Sequence, residues 1–155
     1  MELPKRKRNR LKEFDYRTPG AYFITICTMD RKNLFWTDLN TVIHDPKKLP
    51  LSQYGIMTDR AVKEINNHYP SASVDIYSVM PNHVHLLIQL HCTCSDSNTP
   101  TITEIVRQLK GTVSKQAGFS VWQKGYYDHV IRNEADYQQI YRYIEGNPLK
   151  WEENP

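Results

Sequence analysis

The chain has 155 residues, 39% hydrophobic and 24% charged, with a formal net charge of +3. That is enough apolar material for one compact domain over 1–155, and too much for a disordered chain. No run approaches the roughly 18 apolar residues of a membrane span, and the basic opening leads into no apolar segment, so a cytoplasmic protein with no membrane partner is expected.

The first feature along the chain is a basic arm over 1–14. Lys5, Arg6, Lys7, Arg8, Arg10 and Lys12 supply six cations within eight residues. Such an arm either tracks a phosphate backbone, with an affinity that falls with salt, or is simply solvated. Ala21 to Thr28 is rich in aromatic and β-branched residues and reads as a central strand, apolar on both faces. Residues 31 to 56 are irregular, broken by Pro46, Pro50 and Gly55, with Leu34-Phe35-Trp36 placed in a short hairpin arm.

Thr58 or Asp59 is expected to cap a helix that runs to about His68 and stops at Pro70. Val74 to Val79 alternates as a second strand. Met80-Pro81-Asn82 turns the chain, and His83 to Leu90 forms a third strand antiparallel to it. After a polar loop, Thr101 or Thr103 starts a helix through about Lys115, with Glu104 early and Lys110 and Lys115 late, as the macrodipole favours. Asp128 to Ile131 makes a short edge strand. Asn133 caps a last helix, with Asp136 at the third position of the cap, and Gly146 and Pro148 end it. The order predicts an α+β fold in which helices pack on one face of an antiparallel sheet.

His83 and His85 are two apart in a strand, so both imidazoles leave the same face. Two neutral imidazoles at that separation can share a divalent metal ion, although such pairs also occur by chance on solvated strands. In the last helix, Tyr137, Tyr141, Ile144 and Pro148 form a core stripe, and Tyr143 lies off it. Asn147 shares a face with Tyr143 if the helix continues that far; Gly146 between them makes Gln139 the fallback. Joined to a metal, the phenol can attack phosphorus and the amide can supply a third ligand. An oxygen-rich, incomplete shell suits magnesium or manganese.

Cys27, Cys92 and Cys94 make no disulfide framework. A zinc hydrolase built from His83, His85 and Cys92 or Cys94 lacks an evident general base. Trp122, Tyr126 and Tyr127 either stack on unpaired bases or close the core. Arg132 is read as a phosphate contact and His129 as a structural histidine. Lys110 and Lys115 either border a DNA groove or are solvated.

Pro81 to Leu87 resembles the histidine-hydrophobe-histidine motif of single-tyrosine HUH transposases, in the branch of the REP-associated tyrosine transposases. The basic opening before Tyr22-Phe23-Ile24-Thr25, the run Trp122 to Asn133 and the run Tyr143 to Pro148 resemble the same branch. The resemblance implies an RNA-recognition-like (ferredoxin-like) sheet that binds hairpin DNA and cleaves nearby single-stranded DNA. Cleavage would leave a 5′-phosphotyrosine that a free 3′-hydroxyl can attack to rejoin strands. It further implies His83, His85 and Asn147 as ligands of a divalent ion and Tyr143 as nucleophile. A non-catalytic hairpin-binding module on the same sheet is the competing function, and both a monomer and a homodimer remain open. Deleting residues 1–12 is expected to weaken DNA binding and flatten its salt dependence; an unchanged salt slope would rule the arm out as a phosphate contact.

Overall fold

The computed structural model describes residues 19–91 and 100–151. The arm of Lys5, Arg6, Lys7, Arg8, Arg10 and Lys12, together with Cys92 and Cys94, lies outside the described residues. Among those described, four strands form one antiparallel sheet in the order β2-β3-β1-β4, with β1 Gly20–Cys27, β2 Ala72–Met80, β3 His83–Leu90 and β4 Tyr127–Val130. Three helices accompany it: α1 Gln53–His68, α2 Ile102–Ala117 and α3 Glu134–Gly146. None is long and apolar enough to cross a membrane.

β1 is buried from Ala21 to Cys27, as a central strand with apolar groups on both faces must be. Its alternation divides the molecule. Tyr22, Ile24 and Ile26 point into the larger core, which α1 and α2 close with Ala61, Val62, Ile65, Ile102, Ile105, Val106, Leu109 and Val113. Ala21 and Phe23 point to the other face and join Leu87, Ile140 and Ile144 in a second, smaller core under α3. The antiparallel α+β class stands as expected, but the helices do not all pack on one face as the sequence predicted: α1 and α2 share a face, and α3 crosses the opposite one. The reason is the apolar pair Ile140 and Ile144, one turn apart, which can be buried only against apolar strand residues.

The helix caps follow local chemistry. Thr101 Oγ1 accepts from the Glu104 N–H and starts α2. Asn133 Oδ1 accepts from the Asp136 N–H and starts α3. α1 differs from expectation: it begins at Gln53, capped by Ser52, and so contains Gly55. This glycine serves packing, because a Cβ there would stand 2.2 Å from the Phe35 carbonyl oxygen.

Phe35 and Trp36 form no projecting arm. Both are buried; Trp36 Nε1–H donates to Val79 O at 2.8 Å, and Trp36 bridges to Leu51. Trp122, Tyr126 and Tyr127 are likewise buried and close the core, which removes them as stacking platforms. Lys110 Nζ donates to the Gln123 and Gly125 carbonyls at 2.9 Å each, so it pins that loop rather than lining a groove.

Gly55→Ala should cost about 1–3 kcal/mol of stability, the usual range for forcing an atom into a packed site. Denaturant unfolding measures it; an unchanged midpoint would mean that α1 and the Phe35 strand segment separate easily.

Candidate metal and phosphodiester site

The β1–β3 register builds the site. Thr25 pairs with His85, and Cys27 with His83. Because β3 alternates, both imidazoles emerge on the α3 face, with ring centroids 4.6 Å apart. His85 is buried, 2% exposed, between Phe23 at 5.3 Å and Tyr143 at 5.4 Å. Tyr143 meets both rings edge-on, lying 6.1 Å from Phe23. The sequence reading put Tyr143 off the packed stripe. In the fold it packs beside that stripe, because α3 lies on the same face of the sheet as the histidines.

Each imidazole is oriented through its Nδ1. His83 Nδ1 lies 2.7 Å from Asn82 Oδ1, and Asn82 Nδ2 reaches the Arg31 carbonyl at 3.5 Å. With the amide turned this way, an oxygen faces His83, so Nδ1 must be the N–H and Nε2 carries the lone pair. His85 Nδ1 lies 2.8 Å from Thr25 Oγ1. Its Nε2 is buried and has no hydrogen-bond partner. Leaving a buried ring nitrogen unsatisfied costs about 1–3 kcal/mol, a cost a bound cation would offset. Burial, with the Arg31 guanidinium second, holds His83 down to about 3. Burial, then the neighbouring His83, holds His85 well below its ordinary value. Two neutral imidazoles held through Nδ1, one with an unpartnered buried Nε2, fit a divalent ion.

No group of three His, Cys, Asp or Glu converges among the described residues. Gly146 does not break α3: it keeps helical angles (φ −86°, ψ −8°), and Asn147 continues at φ −57°, ψ −46° as the chain tightens into a 3-10 turn over Asn147–Lys150. Asn147 is half-buried, whereas Gln139 is exposed. The cysteines of the zinc alternative, Cys92 and Cys94, lie outside the described residues.

Arg132 is exposed and makes no ion pair among the described residues. His129 Nε2 pairs with Asp136 Oδ2 at 2.8 Å, and the Arg132 N–H donates to the same oxygen at 3.2 Å. Asp136 therefore ties β4 to the first turn of α3. The groups missed at the sequence level are Thr25, Asn82, Phe23 and Arg31. Asn82 adjoins His83 and was legible in principle; the others come from β1 and its following turn, and only the strand register brings them in.

No protein-family model matches the sequence. An uncharacterised Haemophilus influenzae protein is 34% identical over 170 residues, covering 96% of this chain and 91% of its own length. A second protein of that organism, provisionally named a REP-associated tyrosine transposase, is 28% identical over 148 residues, covering 88% of this chain and 74% of its own. Among solved structures, a REP-associated tyrosine transposase bound to a REP hairpin superposes with a TM-score of 0.62 at 23% identity, covering 96% of this chain and 74% of that one. A provisionally assigned transposase of Deinococcus radiodurans gives 0.50 at 18% identity, covering 92% of this chain and 97% of that one. Both structural likenesses concern the fold.

In metal-free protein, the His83 and His85 ring resonances should show no titration between pH 8 and pH 5. The unfolded chain takes up protons near pH 6.5, while His83 resists to about 3. The pair's contribution therefore lowers stability as pH falls below about 6.5. An NMR midpoint near 6 for either ring would contradict the buried, neutral pair.

Proposed function

We propose, from its similarity to REP-associated tyrosine transposases, that this chain belongs to that family and cleaves and rejoins single-stranded DNA beside a hairpin, with Tyr143 as nucleophile. The observation that carries the proposal is the contact of the Tyr143 ring with His85, whose buried Nε2 lacks a partner. A nucleophile-bearing ring thus adjoins the place where a cation would sit.

His83 and His85 would hold a divalent ion, magnesium or manganese, through Nε2, with Asn147 the preferred further ligand and Gln139 the less suitable one, being exposed. Such an ion supplies charge stabilisation to the scissile phosphate and to the departing oxygen. Asn82 keeps His83 in the tautomer that leaves Nε2 free, and Thr25 orients the His85 ring through Nδ1. Tyr143 Oη loses its proton to water or a nearby base and bonds to phosphorus, while the P–O3′ bond breaks. The 3′ oxygen then takes up a proton. The product is a 5′-phosphotyrosine and a free 3′-hydroxyl. Attack by a 3′-hydroxyl on that link reverses the exchange, freeing the phenol and closing a strand. One ester replaces another at each step, so no external energy source is required.

Hairpin recognition is assigned to the basic arm and Arg132, whose cations suit a phosphate backbone. The RNA-recognition-like sheet would present the adjoining single strand to Tyr143.

Incubation with hairpin-flanked single-stranded DNA and magnesium or manganese should yield a covalent protein–DNA adduct. Tyr143→Phe should abolish the adduct, and His83→Ala should abolish cleavage while leaving most of the hairpin binding. Hairpin binding without an adduct under either metal would instead identify a non-catalytic binding module.

A further inference from the structure

We infer that Arg31 is a phosphate-binding residue of this site, its guanidinium set beside His83 to take the scissile phosphodiester as the metal ion does. The inference rests on the strand-transfer reading and adds a group to it.

Arg31 lies in the short helical turn Met29–Arg31 that follows β1. Both Asp30 (φ 54°) and Arg31 (φ 55°) occupy the left-handed region, and they are the only non-glycine residues to do so among those described. Two consecutive L-residues keep that conformation only where surrounding bonds over-determine it. Those bonds lead to the histidine turn. The Thr28 N–H donates to Asn82 O at 3.0 Å, and the Arg31 N–H donates to Thr28 O at 3.1 Å. Thr28 Oγ1 donates to Lys32 O at 2.7 Å, and Asn82 Nδ2 reaches Arg31 O. The loop is therefore pinned to the residue that also orients His83.

The result is a positioned cation. Arg31 Nη1 lies 3.7 Å from Cys27 Sγ, and Cys27 stands opposite His83 in the β1–β3 ladder. Sulfur is a weak acceptor and occupies one of the five guanidinium N–H donors. No carboxylate pairs with Arg31 among the described residues. An arginine that served only to hold the loop would be expected to find a carboxylate or several carbonyls. This one keeps most of its fork open to solvent, on the face where two imidazoles await a cation.

A guanidinium beside a cation site disfavours the ion while no anion is present. A phosphodiester removes that conflict by accepting from the fork and facing the ion at once. Metal and DNA should therefore bind cooperatively, and the coupling must be reciprocal.

Manganese binding is measured by paramagnetic resonance, with and without a single-stranded oligonucleotide, in the parent and in Arg31→Gln and Arg31→Lys. Thermal melting confirms that each variant folds. In the parent the oligonucleotide should tighten manganese about tenfold. Arg31→Gln should lose that coupling, bind manganese alone at least as tightly as the parent, and cut about 100-fold more slowly; Arg31→Lys should fall between. A glutamine variant that keeps both the coupling and the parental cleavage rate overturns the inference. Coupling in the parent that Arg31→Gln loses, without any adduct, would uphold Arg31 and overturn Tyr143 as nucleophile. A parent that binds no manganese overturns both.

Discussion

The pairing of β1 with β3 is the constraint on which the site rests. Eight residues of each strand run antiparallel in unbroken register, from Gly20 opposite Leu90 to Cys27 opposite His83. Because side chains alternate, a slip of one residue would exchange the faces of a whole strand. Tyr22, Ile24 and Ile26 would leave the large core, and Thr25 would no longer meet His85. Burial of both faces of β1 makes such a slip costly, so the same apolar pattern that stabilises the sheet also orients the imidazoles.

Burial then sets the chemistry. His85 is enclosed by Phe23, Tyr143 and the strand ladder, so its charged form is disfavoured. A histidine meant only to fill space could be replaced by an apolar residue at no cost in polar satisfaction. Here Nδ1 is supported and Nε2 is not. That asymmetry, together with the Asn82 support on His83, is the arrangement that supporting hydrogen bonds impose on ligating imidazoles.

α3 connects the two halves of the site through modest packing. Its buried aliphatic side chains are Ile140 and Ile144, each contributing about 1.5–3 kcal/mol. Polar ties at its first turns supplement them: Asn133 to the Asp136 N–H, His129 to Asp136, and Tyr137 Oη–H to Asp75 Oδ2 at 2.6 Å. The end that carries Tyr143 and Asn147 is held mainly by Ile144 and the buried Pro148. α3 therefore buries fewer side chains than α1 or α2, which share the larger core.

Within a single element the sequence was decisive. Alternation placed His83 and His85 on one face, and the caps at Thr101 and Asn133, the edge strand β4 and the turn at Pro81-Asn82 followed from local steric and hydrogen-bonding preferences. Contacts between distant segments were different in kind. Whether α3 lay over the histidines, whether Gly55 broke an irregular stretch or sat inside a helix, and whether Trp122, Tyr126 and Tyr127 faced bases or the core all depended on which surfaces met. Thr25 and Arg31 entered the site through strand register and a pinned left-handed turn, 60 residues from His85 in the case of Thr25. Periodicity encodes the geometry of one strand or helix; the pairing of remote surfaces is decided by the total burial they achieve, and that quantity exists only once the chain has folded.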